Sequence, residues 1–125
     1  MLTKERLAEE AERMRRVPGI YFGEERDGRR AKVSGAGIDV WEVINAWQAW
    51  GRDFNELCRG MDWLTREQHR AALDYYKLYP AEIDRFIWEN DKTFEILSKY
   101  APVVPPWPPA MIDEFKAAGL WEDRT

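Results

Sequence analysis

Side chains suited to reading DNA cluster within residues 62–76, DWLTREQHRAALDYY. Thr65 followed three positions later by Gln68 forms a capping box, which is typical of a helix start. Arg66, Gln68 and Arg70 then occupy the first two turns of that helix. Arginine can donate two hydrogen bonds to guanine, glutamine suits adenine, and free amides at a helix start suit a phosphate. We therefore treat Thr65, Arg66, Gln68 and Arg70 as candidate DNA-contacting residues.

The same pattern is also typical of the solvated face of a packed helix. Residues 53–70 contain three arginines and four carboxylates, so the local charge is slightly negative. Glu67 lies in the first turn and would repel a phosphate unless it accepts a hydrogen bond from cytosine. A DNA-reading surface and a solvated surface both remain open.

A basic stretch lies nearer the N-terminus, where residues 13–32 contain seven basic and three acidic side chains. Asp27-Gly28 in this stretch is a strong β-hairpin signal. With these two as the loop, Phe22 faces Val33 and Glu25 faces Arg30. One face of the predicted hairpin (residues 20–35) then collects Ile20, Phe22, Ala31 and Val33, and the other holds Tyr21, Glu25, Arg30 and Lys32.

The tip of this hairpin is the second candidate for contact with nucleic acid. It presents Arg26, Arg29 and Arg30. These side chains could bind phosphates next to a DNA-contacting helix, as the wing of a winged helix does. A solvated turn explains the same residues. A lone hairpin is marginal in water, so this one must pack against helices or pair with a second copy, which makes a homodimer plausible.

Bulk composition limits the function classes. The chain has 125 residues, 45% of them hydrophobic, which suits one domain with its own core. A net charge of -4 argues against nonspecific coating of nucleic acid. Seven Trp, five Tyr and five Phe exceed what a small monomer usually hides, so an interaction protein stays open. A single cysteine, with no secretory leader and no membrane-spanning run, favours the cytoplasm.

Helical periodicity and capping residues predict the remaining elements. Thr3, Asp39 and Asp53 are expected N-caps, and Gly51 ends the first core helix. The predicted fold class is mostly α with a small N-terminal β-hairpin, built on a homeodomain-like helix-turn-helix core of three helices plus extra helices. Helices are predicted at residues 3–16 (where Leu7, Ala11 and Met14 share one face), 40–50, 53–61, 65–79 and 81–100.

Residues 101–125 form a Pro/Trp-rich extension, predicted as a polyproline segment followed by a short helix. Its apolar side chains could anchor on a protein partner, because a stiff proline stem loses little entropy on docking. Folding back over the domain's own core is the alternative. The candidate partner-binding residues are Trp107, Met111, Ile112, Phe115, Leu120 and Trp121.

Catalytic and cofactor chemistry finds little support. Cys58 falls on the buried stripe of its helix and His69 on the inner side of the next, so both are predicted to be core residues. One His and one Cys do not make a zinc site, and no glycine-rich phosphate cradle is present. We expect no enzyme activity, metal or cofactor; a hydrolase using Cys58 is the distant alternative.

Residues 17–87 resemble the bacterial family named domain of unknown function 433. The resemblance is carried by the hairpin followed by SGAGIDVWEVINAW, by WLTREQHRAALDYY and by YPAEIDRFI. That family usually has Gly-Thr-Arg-Ile-Pro-Val before its first core helix, whereas this chain has Gly35, Ala36, Gly37, Ile38, Asp39 and Val40. The missing arginine removes one phosphate or partner contact.

The resemblance implies an antitoxin of the VapB type. Such a protein binds double-stranded operator DNA as a homodimer and neutralises a ribonuclease toxin resembling a PIN domain. The acidic total charge and the Trp-rich extension favour an alternative, a protein-interaction adaptor that does not bind nucleic acid.

Overall fold

Up to residue 100, the described part of the chain forms five helices and one two-stranded antiparallel sheet, so the predicted class, mostly α with a small N-terminal hairpin, is confirmed. The computed structural model describes residues 2–26, 28–100 and 117, with side chains described up to residue 95 and at residue 117. The elements in chain order are α1 (Lys4–Arg16), β1 (Ile20–Glu25), β2 (Gly28–Val33), α2 (Val40–Ala49), α3 (Phe54–Gly60), α4 (Arg66–Leu78) and α5 (Pro80–Tyr100).

The chain divides into two compact units, Met1–Glu89 and Asn90–Thr125. The division falls inside α5. All contacts described below lie within the first unit.

The hairpin has a different register from the predicted one. Phe22 pairs with Ala31, and Glu25 pairs with Gly28, so the chain reverses one residue earlier than expected. Gly28 has φ 128°, outside the left-handed helical region that a two-residue Asp-Gly turn requires, and it serves as the first residue of β2. Because the register shifts by two, the predicted inner face is retained. Its members Ile20, Phe22, Ala31 and Val33 are all buried.

Helix α1 lies with charged side chains toward the rest of the unit. Thr3 caps it as predicted, accepting a hydrogen bond from the Arg6 amide at 3.0 Å. Glu10 is only 2% exposed, whereas Leu7 and Met14 on the apolar face are 49% and 36% exposed. Apolar periodicity therefore gives the wrong orientation for this helix, because Glu10 meets its cationic partners on the inner side.

The core forms where α2, α3 and α4 contact one another and where α2 and α4 contact the hairpin. Val40, Val43 and Ile44 are fully buried on α2, at the spacing of one helical face. Burying one such side chain stabilises the fold by about 1.5–3 kcal/mol. Tyr75 of α4 is fully buried and meets the Phe22 ring edge-on at 6.2 Å between ring centres. The hairpin and α4 therefore share one core.

Asp39 occupies the N-cap position of α2 but does not cap it. Its carboxylate makes no bond to the helix amides. It accepts hydrogen bonds from Lys32 Nζ at 2.7 Å, Arg30 Nη1 at 3.3 Å and Trp41 Nε1 at 3.0 Å. Burial lowers the pKa of Lys32, but the bonds to Asp39 and Glu25 outweigh it and raise that pKa above its ordinary value. The carboxylate is held by these side-chain donors and makes no bond to the first-turn amides, so the predicted side-chain cap is wrong.

Gly19, between α1 and β1, should tolerate substitution less well than Gly51 after α2. Gly19 has φ 97°, and a Cβ there would lie 3.1 Å from the Ala71 Cβ; Gly51 has φ 72°, with nothing within 4 Å. We expect Gly19→Ala to lower the free energy of unfolding by about 2–3 kcal/mol and Gly51→Ala by about 1 kcal/mol. Urea denaturation of both variants measures this. Equal losses would show that the contact with Ala71 has no cost.

Candidate nucleic-acid interface

The two predicted arginines of α4 share one aromatic ring. The Arg66 Cζ lies 4.9 Å and the Arg70 Cζ 4.1 Å from the centre of the Phe54 ring. Both arginines are exposed, and Arg66 Nη2 also donates to Asn55 Oδ1 at 3.2 Å. Stacking of this kind contributes about 0.5–1 kcal/mol at an exposed site, and it limits the directions in which the guanidinium groups can point.

Local sequence explains how this arrangement forms. Asp53 caps α3, accepting from the Glu56 amide at 3.0 Å, which places Phe54 at the first position of that helix. Arg66 opens α4, and Arg70 follows one turn later on the same face. The short connection between α3 and α4 brings this face over Phe54.

A groove of about 380 Å³ runs along this surface. Arg66, Arg70 and Phe54 line it together with Glu67 and Asp74. Two cations and two carboxylates give the groove no net charge, so it does not have the positive charge of a surface that binds phosphates nonspecifically. A mixed set of donors and acceptors is better suited to base edges than to a phosphate backbone.

Both polar atoms of the Gln68 side-chain amide already bond within the protein. Its Oε1 accepts from the Thr65 amide at 2.8 Å, and its Nε2 donates to the Ser34 carbonyl at 3.0 Å. The Thr65 hydroxyl accepts from the Gln68 amide at 3.1 Å, which completes the predicted capping box. Gln68 therefore positions the start of α4, and its assignment as an adenine-reading residue is not supported by this geometry.

The three hairpin arginines have separate surroundings. Arg26 is exposed at the end of the hairpin. Arg29 lies on the inner face and donates from Nε and Nη2 to the two carboxylate oxygens of Glu10, both at 2.7 Å. Arg30 donates to Asp39 and lies 5.0 Å from the centre of the Phe86 ring. The hairpin does not present all three as one wing tip.

Glu10 is a buried carboxylate that the sequence analysis missed. Hydrogen bonds from Arg29 hold the pKa of Glu10 below its ordinary value; burial acts in the opposite direction, and Arg6 adds a bond at 2.9 Å. The Arg6–Glu10 spacing of four residues is a visible helical pair. Nothing in the sequence pattern indicates that Glu10 also pairs with Arg29 of β2.

Tyr75 is the centre of a second missed network. Its hydroxyl accepts from Arg13 Nη1 at 2.8 Å and donates to Glu82. Burial raises the pKa of Tyr75, and the bond to Glu82 raises it further. The Arg13 guanidinium lies 4.2 Å from the centre of the Tyr79 ring. Residues of α1, α4 and α5 are thus joined at one hydroxyl group.

His69 and Cys58 were the residues considered for catalysis or metal binding, and the structure describes both. His69 is fully buried, as its inner position predicted; one ring nitrogen lies 2.9 Å from the Met61 carbonyl oxygen, and Nδ1 has no partner. Cys58 is partly exposed, so it is less enclosed than predicted. Over the residues that the structure describes, no three His, Cys, Asp or Glu side chains gather as a metal site.

Two further predictions concern membranes and the extension. Within the described ranges, no helix is both long and apolar enough to cross a membrane. The six candidate partner-binding residues of the extension, from Trp107 to Trp121, lie outside the described residues.

Comparison with known proteins gives no relative. No protein-family model, no curated protein and no solved structure matches this chain. The resemblance to the family of domain of unknown function 433 therefore stays a prediction from the motifs.

Glu10→Gln should make the free energy of unfolding less dependent on pH in the acidic range. The pKa of Glu10 is lower in the folded state than in the unfolded state. The contribution of Glu10 to stability is therefore complete above its unfolded pKa of about 4.3, and it is lost as the pH falls through the lower pKa of the folded state. At pH 7 the variant should be about 2 kcal/mol less stable, since it loses charge-assisted bonds. Below about pH 4.3 the difference from the wild type should narrow. Urea titrations between pH 7 and pH 2 measure this.

Glu5→Gln is the matched control, since Glu5 is exposed on the same helix. It should leave the acid dependence unchanged. A constant gap between the wild type and Glu10→Gln at every pH would contradict the assignment.

Proposed function

We propose that the protein is a DNA-binding antitoxin of a bacterial toxin-antitoxin pair. The observation that carries the proposal is the pair Arg66 and Arg70, exposed and held side by side on Phe54 at the start of a capped helix. In this proposal α2, α3 and α4 act as a homeodomain-like helix-turn-helix unit, with α4 entering the major groove of double-stranded operator DNA.

The chemistry of the groove supports base contact by these two arginines. Each guanidinium offers five N–H donors in a rigid fork, which matches the two acceptors of guanine. The Phe54 ring restrains both forks before DNA arrives, so less side-chain entropy is lost on binding. Glu67 in the same groove is positioned to accept from cytosine and to disfavour contact with a phosphate.

Arg26 is the proposed phosphate contact. It is the member of the hairpin set that is exposed at the turn, whereas Arg29 and Arg30 bind carboxylates within the unit. A single phosphate contact positions a protein on DNA but carries no sequence information. Two copies of this chain in a homodimer would supply two such contacts and two reading helices.

The antitoxin part of the proposal concerns the extension at residues 101–125. Its aromatic and aliphatic anchors, together with the family resemblance, support docking on a ribonuclease toxin resembling a PIN domain. DNA binding and toxin neutralisation would then use different parts of the chain.

Replacing both arginines of α4 tests the DNA contact. We expect Arg66→Ala/Arg70→Ala to weaken binding to the DNA upstream of its own reading frame by about 100-fold, because each good arginine–guanine pair contributes about 1–3 kcal/mol. Gel-shift titration at low salt measures it. Arg59→Ala is the matched control: Arg59 is 76% exposed on α3 and pairs with Glu56 outside the groove. Wild-type affinity in the double variant, or no binding by the wild type, would refute the contact.

Salt dependence separates the two kinds of contact. Arg26→Ala should reduce the slope of log affinity against log salt by about 1 per subunit, since one phosphate contact and its released counterion are lost. The Arg66/Arg70 double variant should keep the wild-type slope. A reduced slope in the double variant would reassign these arginines to the backbone.

A protein-interaction adaptor is the second candidate, and exposed aromatic residues in the first unit favour it. Trp63 and Trp88 are 61% and 63% exposed, and Leu78 is 50% exposed. Large apolar side chains on a surface are typical of protein contacts.

Deleting residues 101–125 tests whether the extension is responsible for toxin neutralisation. In the antitoxin proposal the truncated protein keeps its DNA affinity but no longer protects cells from the ribonuclease encoded beside it. Growth of cells co-expressing that neighbouring product measures the protection. If the truncated chain still protects, the extension is not the toxin-binding segment.

A further inference from the structure

The outer side of α4 carries acidic and basic side chains in strict alternation. They are Glu67, Arg70, Asp74 and Lys77, separated by one helical turn at each step. With about 3.6 residues per turn, these positions fall within one strip about 80° wide along the helix. Glu67, Arg70 and Lys77 are exposed, and Asp74 is half-buried. We call these four residues the charged strip of α4.

The charges of this strip are not used inside the protein. None of the four side chains forms an ion pair with any residue that the structure describes. Their spacing would allow pairs along the helix, such as the pair that Arg6 and Glu10 form on α1. Arg70 instead lies over the Phe54 ring, with its Cζ 4.1 Å from the ring centre. The strip therefore offers two cations and two carboxylates to a partner.

The order of these charges is complementary to itself when it is reversed. Two copies of α4 can lie antiparallel, related by a two-fold axis level with residue 72. Arg70 of each copy is then opposite Asp74 of the other, because positions 70 and 74 are symmetric about 72. Glu67 is likewise opposite Lys77 of the other copy, and each ion pair occurs twice.

Other arrangements of two such helices bring like charges together. A parallel pair sets every side chain of the strip against its own counterpart. An antiparallel pair centred on residue 70 sets Arg70 against Arg70 of the other copy. Contacts between like charges act against the wrong orientation and the wrong register. The charge order therefore favours a single arrangement of two copies.

We propose that the charged strip of α4 binds the same strip of a second copy of this chain, in an antiparallel pair. In this register Leu78, which is 50% exposed, lies level with Arg66 of the second copy. That guanidinium lies on the Phe54 ring, so Leu78 meets an aromatic neighbour there. Exposed ion pairs contribute little each, so the pair is weak and depends on protein concentration and on salt.

The pairing goes beyond the proposed DNA contact and does not depend on it, although both use one face of α4. Arg70 cannot contact a base while it is paired with Asp74 of a second copy. When both interactions exist, two free chains cover the DNA-contacting face of each other, and DNA displaces the second copy. This pair differs from the operator-bound homodimer, in which both copies of α4 face the DNA.

Sedimentation equilibrium of the full chain at low salt, over a range of concentrations, tests the pairing. The average mass should rise from 14.8 kDa toward twice that value, and salt at about 1 M should reverse the rise by screening the ion pairs. Glu67→Lys and Lys77→Glu should each stay monomeric, because each reversal sets like charges opposite one another. An equal mixture of the two variants should pair again, because their strips are complementary to each other.

Arg59→Glu is the matched control, since it reverses a charge on α3 outside the strip, at a side chain that is 76% exposed. It should associate as the wild type does, and circular dichroism checks that every variant is folded. A wild type that is monomeric at every concentration would overturn the inference. Association that neither single reversal weakens would also overturn it, as would a mixture that stays monomeric.

The mass measurements contain no DNA, so they decide the pairing separately from the DNA contact. Pairing without any gel shift would reject the DNA contact and leave the pairing in place. A gel shift from a chain that never pairs would do the reverse.

Discussion

Charged side chains on the inner face of α1 set the arrangement of the first unit. A buried carboxylate without partners costs several kcal/mol, so Glu10 requires Arg6 and Arg29 around it. That requirement fixes the hairpin against α1, because Arg29 belongs to β2. One turn further, Arg13 reaches the Tyr75 hydroxyl and fixes α4 against the same helix. Ionic contacts of α1 thus locate both elements that carry the candidate surfaces.

The rotation of α4 about its own axis follows from the residues on its inner side. His69 and Tyr75 are fully buried, which leaves the Arg66 and Arg70 side facing out. Phe54 then determines how these arginines are held on that side. The candidate interface therefore depends on two features. The buried residues of α4 set the direction of its outer face, and the aromatic ring beneath that face holds the arginines.

Local signals in the sequence predicted the elements, and long-range charge pairs account for what was missed. Capping patterns located the starts of α1, α3 and α4, and alternation gave the buried face of the hairpin, because both depend on neighbouring residues. The cations of β2 that bind Asp39 and Glu10 were beyond such reasoning, since they belong to another element. The outward side of Arg66 and Arg70 was predictable from helical spacing, but their shared ring was not, as it belongs to another helix.

The side-chain amide of Gln68 restricts the connection between β2 and α2. Through its bond to the Ser34 carbonyl, this loop is tethered to the first turn of α4. Gly35 follows directly with φ 82°, and a Cβ there would lie 3.2 Å from the Gln68 amide nitrogen. Surface loops usually accept insertions and deletions, but a change of length here would pull on the start of α4. The length of this segment is thereby constrained by a helix some thirty positions away along the chain.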